Sequence, residues 1–228
     1  MLFEWIDGEK RQPRNRDERT TCSCCGSSLI PVIPKENVRH WRHPKGDCDP
    51  WSEPEGPWHL RWKERFAPQF REVPLVDKQT NEHHRADIFC TVPGVTPTIV
   101  ELQHSPIGED ERDRREAFYQ RYGRMFWLLH LHNEHAFHGT TFNLSLDYSN
   151  PVQHGRHTFY VMRWHSRSSQ FIERWKRSKT HVFLDYRGRL YYLATAIAAG
   201  ELLRQLGRGQ YALCEITSEQ FVAAALRQ

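Results

Sequence analysis

The stretch from Arg85 to Ser105 limits the fold of this chain more than any other. It holds a short apolar run around an acid, Arg85-Ala86-Asp87-Ile88-Phe89, then Pro93-Gly94-Val95-Thr96-Pro97, then Thr98-Ile99-Val100-Glu101-Leu102-Gln103-His104-Ser105. Runs of this length and content, separated by a turn rich in Pro and Gly, read as strands. Side chains alternate along a strand, so Glu101 and Gln103 project from one face while Val100 and Leu102 enter a core. If the two strands are hairpin neighbours, Asp87 reaches the face that carries Glu101. Two carboxylates and an amide carbonyl then converge on a space fit for a divalent cation. Mg²⁺ takes few protein carboxylates and fills its shell with water and phosphate oxygens, as metal-assisted phosphodiester cleavage requires. The competing reading is a solvated edge strand with ordinary charges.

A chain of 228 residues suffices for one mid-sized domain and a small appendage. Hydrophobic content is low at 38%, but 8 Trp, 8 Tyr and 12 Phe supply enough apolar area for a core. The 32 Lys and Arg nearly balance 28 Asp and Glu, a dense charge that permits an anionic polymer as partner without requiring one. No window approaches the apolar length of a membrane span, and Met1-Leu2-Phe3-Glu4-Trp5 lacks the basic and apolar regions of a secretory signal, so no membrane partner and a cytoplasmic location are expected. Cys22, Cys24, Cys25 and Cys48 cluster, whereas Cys90 and Cys214 lie in apolar surroundings and read as buried thiols.

Residues 9–20 are almost wholly polar and are expected to form a mobile arm or exposed loop. After the prolines of Asp49–Pro57, a helix can begin with Pro57 in its first turn and run through Trp58, His59, Lys63 and Phe66. Strands are expected at 72–76, 86–92 and 98–103, a helix at 109–122 and a buried strand at 125–129. Beyond Asn133 the signal weakens to a strand at 158–163, a helix near 171–177, a strand pair at 181–186 and 190–193, and a terminal helix near 219–226 capped by Ser218. The expected division is an arm and zinc module at 1–50, a core at 51–135 and an extension at 136–228.

Cys22 and Cys25 have the C-x₂-C spacing of a zinc knuckle, and Cys24 lies inside that turn, pointing away. His40, His43 and Cys48 offer three candidates for the two remaining positions of a tetrahedral site. The preferred set is Cys22, Cys25, His43 and Cys48, with His40 the leading substitute. Glu55, His59 and Lys63 are spaced by four and four, so on a helix they would share one stripe; Glu55 lies close to the start and so is the weakest member. Trp58 and Trp62 beside them read as core. For a lone His and Lys, a solvated helix face is the ordinary reading.

Taken in order, Cys22-x₂-Cys25, His40-Trp41-Arg42-His43, Cys48-Asp49, Glu55 with Trp58-His59 and Trp62-Lys63, Arg85-Ala86-Asp87-Ile88 and Glu101-Leu102-Gln103-His104-Ser105-Pro106-Ile107 resemble the successive signatures of the competence protein CoiA family. That family is similar in turn to the PD-(D/E)XK nuclease superfamily. The resemblance covers roughly residues 20 to 130. It implies a mixed α/β (α+β) fold, with a zinc-binding module ahead of a restriction-endonuclease-like α-β-β-β-α-β core. It further implies that Asp87 and Glu101 bind catalytic Mg²⁺ or Mn²⁺, that Gln103 stands where lysine is commoner, and that Glu55, His59 and Lys63 form a signature ahead of the core. A neutral amide cannot lower the pKa of an attacking water as an ammonium can, so Lys63 is the candidate to restore the charge.

Arg112, Arg114, Arg115, Arg121 and Arg124 could meet phosphates, but interleaved acids make pairing within the helix the stronger reading. The stretch Arg163–Lys179 is more basic, and Trp164, Phe171 and Trp175 within it either stack bases or form the underside of a helix. The expected function is metal-dependent hydrolysis of DNA, double- or single-stranded; the alternative is a non-catalytic zinc-containing DNA-binding or recombination accessory factor. A second copy of the chain, or recombination or defence proteins, are the expected protein partners.

Overall fold

The computed structural model of the chain describes residues 1–131, 146–163, 169–207 and 209–227. The chain forms two compact units, Met1–Pro93 and Gly94–Gln228, a grouping that differs from the three segments read from sequence.

The N-terminal unit begins with a hairpin of β1 (Glu4–Ile6) and β2 (Glu9–Arg11) around the two-residue turn Asp7-Gly8. Part of the expected mobile arm is therefore ordered strand. The Lys10 ammonium is buried and donates to the Glu72 carbonyl at 3.0 Å, and Arg11 pairs with Glu18 at 2.9 Å, so polar residues here are spent on internal contacts. β3 (Thr20–Thr21), β4 (Ser28–Val32) and β5 (His40–Arg42) form a three-stranded antiparallel sheet. Leu29 and Trp41 are buried on it with Cys22 and Met1, and Trp41 Nε1 donates to the Arg11 carbonyl at 3.2 Å. Helix α1 (Pro57–Lys63) starts at its proline as expected, and Trp58 and Trp62 enter the core. A 3₁₀ turn at Pro68–Phe70 leads into β6 (Arg71–Val76), which pairs antiparallel with β7 (His83–Cys90).

The C-terminal unit contains β8 (Thr98–Gln103), α2 (Glu109–Tyr119), β9 (Arg124–His130), β10 (Leu146–His154), β11 (His157–Arg163), α3 (Ser169–Lys176), β12 (His181–Tyr186), β13 (Arg189–Leu193), α4 (Ala196–Gln205), β14 (Gln210–Ile216) and α5 (Ser218–Leu226). Its strands lie in the order β10-β11-β14-β13-β12-β9-β8. β8, β9 and β12 run parallel and the other pairs are antiparallel, so the sheet is mixed. Parallel neighbours need a crossover, and α2 supplies it between β8 and β9. The return is tight: a Cβ at Gly123 would lie 2.2 Å from the Pro97 carbonyl oxygen, so glycine alone lets the chain pass. Every residue of β8 is buried, Glu101 and Gln103 included, which removes the solvated edge-strand reading.

Along the chain, α1, β6, β7, β8, α2 and β9 follow the expected order of helix, three strands, helix and strand. β10, α4 and β14 were not foreseen. The last helix is capped by Thr217, not Ser218: Thr217 Oγ1 accepts from Gln220 N at 3.1 Å and Gln220 Oε1 accepts from Thr217 N at 2.8 Å, a reciprocal capping box. No helix among the described residues is long and apolar enough to cross a membrane.

Candidate functional site

The Cys22–Cys25 turn is closed by its own backbone. Cys22 N donates to the Ser27 carbonyl and Gly26 N to the Cys22 carbonyl, both at 2.8 Å, while Cys24 N points at Cys22 Sγ from 3.4 Å. The residues after β5 bring up the rest. Ligand atoms of Cys22, Cys25, His43 and Cys48 all lie within 4.8 Å of one another, so this set could hold a metal ion. It is the set preferred from the sequence. His40 stands outside it, its Nδ1 lying 3.1 Å from the Val38 carbonyl. Burial opposes ionisation of Cys25, but hydrogen bonds from Ser27 and His43 bring its thiol down to about 6, whereas burial and the neighbouring Cys22 and Cys24 push Cys48 up. His43 Nδ1 is buried without a hydrogen-bond partner among the described residues; Asp47 Oδ1 lies 3.9 Å away.

Asp47 and Asp49 flank Cys48 and reach across to β7. Asp49 Oδ2 accepts the Arg85 amide at 2.7 Å, and its Oδ1 accepts from Trp51 N at 2.9 Å and lies 2.8 Å from His84 Nδ1. His84 stacks flat on Trp51. The Arg85 guanidinium donates to both oxygens of Asp47, at 3.1 and 3.3 Å. Burial raises the Asp49 carboxyl but the bonds from His84 and the Arg85 and Trp51 amides outweigh it and lower its pKa.

The Glu55-His59-Lys63 stripe divides. Both His59 and Lys63 are buried, so the solvated-face reading fails. His59 Nδ1 accepts from Gly56 N at 3.2 Å and its Nε2 lies 3.1 Å from Glu53 Oε1, which ties it to the start of α1. Glu55 lies outside the helix, yet its carboxylate reaches Lys63 Nζ at 2.5 Å. Glu72 and Asp87 reach the same nitrogen at 2.7 and 2.8 Å. Three carboxylates therefore surround one ammonium. Burial alone would lower the Lys63 pKa, but Asp87, Glu55 and Glu72 hold it well above the ordinary lysine range, so it is a fixed positive charge and no proton acceptor. Burial and the nearby Glu72 and Asp87 raise Glu55, against the pull of Lys63. Glu72 is depressed: burial opposes its charge, but Lys63 dominates. Glu72 also accepts the Leu2 and Phe3 amides at 2.7 and 2.6 Å, and its backbone has a positive φ of 47°. A left-handed conformation at a non-glycine residue persists only when its surroundings impose it.

Asp87 belongs to the N-terminal unit, and Glu101 and Gln103 belong to the C-terminal one. Asp87 is 21% exposed while Lys63 behind it is fully buried. Glu101 lies 3.8 Å from Arg115 Nη1, and Arg115 also pairs with Glu111 one turn back. Gln103 Nε2 donates to the Ser105 carbonyl at 2.7 Å. The arginines of α2 follow the pairing reading: Arg112 and Arg115 are buried and bonded to neighbouring acids. Trp175 packs edge-on against Trp127 at 5.2 Å and is core; Trp164 and Arg167 lie outside the described residues, as do the side chains of Arg163 and Phe171.

Sequence reasoning missed Glu72, Asp49 and Arg85 as parts of the site. Asp49 and Arg85 stood inside quoted motifs, Cys48-Asp49 and Arg85-Ala86-Asp87-Ile88, without a role of their own; Glu72, second in β6, had no signal. No family model, curated protein or solved structure matches the chain, so the reading of the site stands on its geometry.

Proposed function

We propose that the protein is a metal-dependent deoxyribonuclease, built on a restriction-endonuclease-like core of α1, β6, β7, β8, α2 and β9 and carrying structural zinc at Cys22, Cys25, His43 and Cys48. The observation that carries the nuclease reading is Asp87: a partly exposed carboxylate on a strand, held from behind by a buried ammonium. Such a carboxylate is oriented without being smothered, as a ligand for Mg²⁺ or Mn²⁺ must be. The resemblance assigns a second carboxylate to Glu101 and the orientation of water or phosphate to the amide of Gln103. A bound divalent cation would supply charge neutralisation at the scissile phosphate and a more acidic water. Lys63 contributes at one remove. With no exposed surface and three carboxylates around it, it fixes Asp87 and offsets part of the negative charge there. Glu55 completes the cluster around Lys63, its carboxyl raised by burial and by the nearby Glu72 and Asp87 against the pull of Lys63.

Zinc suits the cysteine site on distance. Bonds of about 2.3 Å to sulfur and about 2.0 Å to nitrogen give a tetrahedron with edges of roughly 3.8 Å between sulfurs and roughly 3.5 Å between sulfur and nitrogen. Cys22 and Cys48 sulfurs stand 3.9 Å apart, and Cys25 Sγ stands 3.4 Å from His43 Nε2. The buried His43 Nδ1 near Asp47 fits the usual partnership between a metal-bound imidazole and an outer carboxylate.

A second reading, a zinc-containing DNA-binding or recombination accessory factor without catalysis, draws on one observation. The Gln103 amide donates to the Ser105 carbonyl, and Lys63 is fully buried and so out of reach of a phosphate. The two separate on incubating the purified chain with linear, circular and single-stranded DNA in Mg²⁺, Mn²⁺ or EDTA. The nuclease reading expects metal-dependent cleavage that falls by at least about a thousandfold in Asp87→Ala and Glu101→Ala, the scale of losing a main electrostatic contributor, with unchanged circular dichroism. Cleavage at the wild-type rate in both variants would sink it; DNA binding without cleavage by any form would favour the accessory factor.

A further inference from the structure

We infer that Asp49 is a positioning residue through which the metal knuckle sets the strand carrying Asp87, an inference that rests on the nuclease reading only for its effect on activity. The chain runs from the ligand Cys48 through Asp49 with no intervening residue. Asp49 then grips β7 at two successive positions, with His84 Nδ1 2.8 Å from Oδ1 and the Arg85 amide donating to Oδ2 at 2.7 Å. Asp47, one residue before the ligand, holds the Arg85 guanidinium at 3.1 Å. Asp49, His84 and the Arg85 side chain are all nearly buried, so these bonds act where water does not compete. Two residues beyond Arg85, on the same face of the alternating strand, comes Asp87. The same carboxylates close the loop around Cys48, Asp47 accepting from Asp49 N at 3.1 Å and Ser52 Oγ at 3.0 Å and Asp49 from Trp51 N at 2.9 Å, so one pair of acids belongs to both the knuckle and the strand. Metal at Cys48 thus fixes the carboxylate that fixes Arg85, and Arg85 sets the register from which Asp87 meets Lys63.

The test uses the full chain and Zn²⁺, comparing wild type, Asp49→Asn, Asp49→Glu and Asp47→Asn. Asparagine keeps the size of Asp49 but turns one acceptor into a donor facing the Arg85 amide, whereas glutamate keeps both oxygens. Zinc content should stay at one per chain in all four. Amide hydrogen exchange across residues 83–88 should quicken roughly tenfold in zinc-loaded Asp49→Asn, the loss of one charge-assisted hydrogen bond, and partly recover in Asp49→Glu. Removing zinc from wild type should produce the same change. Given an active wild type, Asp49→Asn should lower kcat with KM for DNA unchanged. An inactive wild type would fail the nuclease reading and leave the exchange result to decide the coupling alone. Zinc-loaded Asp49→Asn that exchanges like wild type across 83–88, or wild type unaffected there by chelation, overturns the proposal. Should Asp49→Asn not fold, Asp47→Asn decides, with faster exchange at 83–88 expected and unchanged exchange overturning it.

Discussion

Lys63 and its three carboxylates show how differently one neighbourhood treats groups of the same chemistry. Glu72 is fully committed as an anion, bonded to Lys63 and to the Leu2 and Phe3 amides. Glu55 is pushed the other way by burial and by the charges of Glu72 and Asp87. Glutamine should therefore be tolerated at 55 and not at 72. Glu72→Gln places a donor against two amides and an ammonium and should cost about 3 kcal/mol in urea unfolding, whereas Glu55→Gln should cost about 1 kcal/mol or less. The pH dependence follows in sign. A carboxyl depressed in the folded state, as Glu72 is, contributes stability above its unfolded pKa of about 4.3 and loses it as pH falls through the lower folded value. Raised Glu55 acts oppositely, its contribution present at low pH and lost as pH rises through its folded pKa. Lys63, raised, contributes fully below about pH 10.4 and only loses that far into alkali. Unfolding midpoints measured downward from pH 6 should fall in wild type and fall less steeply in Glu72→Gln; equal slopes would contradict the assignment.

At the scale of elements, α2 is tied to its surroundings by charged residues more than by apolar ones. Its sequence, Glu109–Tyr119, puts only Ala117, Phe118 and Tyr119 among eight charged residues. Glu116 carries the attachment: it accepts from Trp127 Nε1 of β9 at 3.1 Å, from Ser178 Oγ at 2.6 Å and from the Lys179 amide at 2.9 Å. Arg112 reaches the Arg174 carbonyl at the end of α3. Helix, strand and the turn after α3 thus meet on one buried carboxylate. Glu116→Ala leaves an indole, a hydroxyl and an amide without that acceptor and should destabilise the chain by roughly 3 to 5 kcal/mol, against about 0.5 kcal/mol or less for exposed Arg114→Ala, both read by denaturant unfolding. A loss below 1 kcal/mol at Glu116 would show that water replaces these bonds.

For the whole molecule, the proposed zinc at Cys22, Cys25, His43 and Cys48 bears on the order of the N-terminal sheet. The three-stranded sheet beside the knuckle buries few large side chains, chiefly Leu29 and Trp41, and a core of that size needs a cross-link or a metal to hold it. One zinc per chain is expected by elemental analysis of protein purified without chelator. Its removal should abolish protection of amides in residues 21–49 while those of β12 and β13 stay slow to exchange. Absence of zinc, or a 21–49 segment equally protected without it, would end the claim.

The sequence by itself determined the elements whose local signals agree with their setting. Strand 98–103, the start of α1 at Pro57, the helix from Glu109 and the strand pair near 181 and 190 all appear where periodicity and turn residues put them. So does the Cys22, Cys25, His43 and Cys48 set, because ligand chemistry and spacing leave few other choices. What only tertiary structure decided is the fate of charge. The helix alone does not say that Lys63 is buried, among carboxylates of residues 55, 72 and 87, while Arg61 two residues earlier is exposed; only the Glu55 spacing hinted at one partner. Lys10 in a polar run, Asp49 beside Cys48 and Glu72 near the start of β6 are interior groups for the same reason. The cost of burying an ion is recovered by partners outside its own helix or strand, and the pattern within that element carries no record of them.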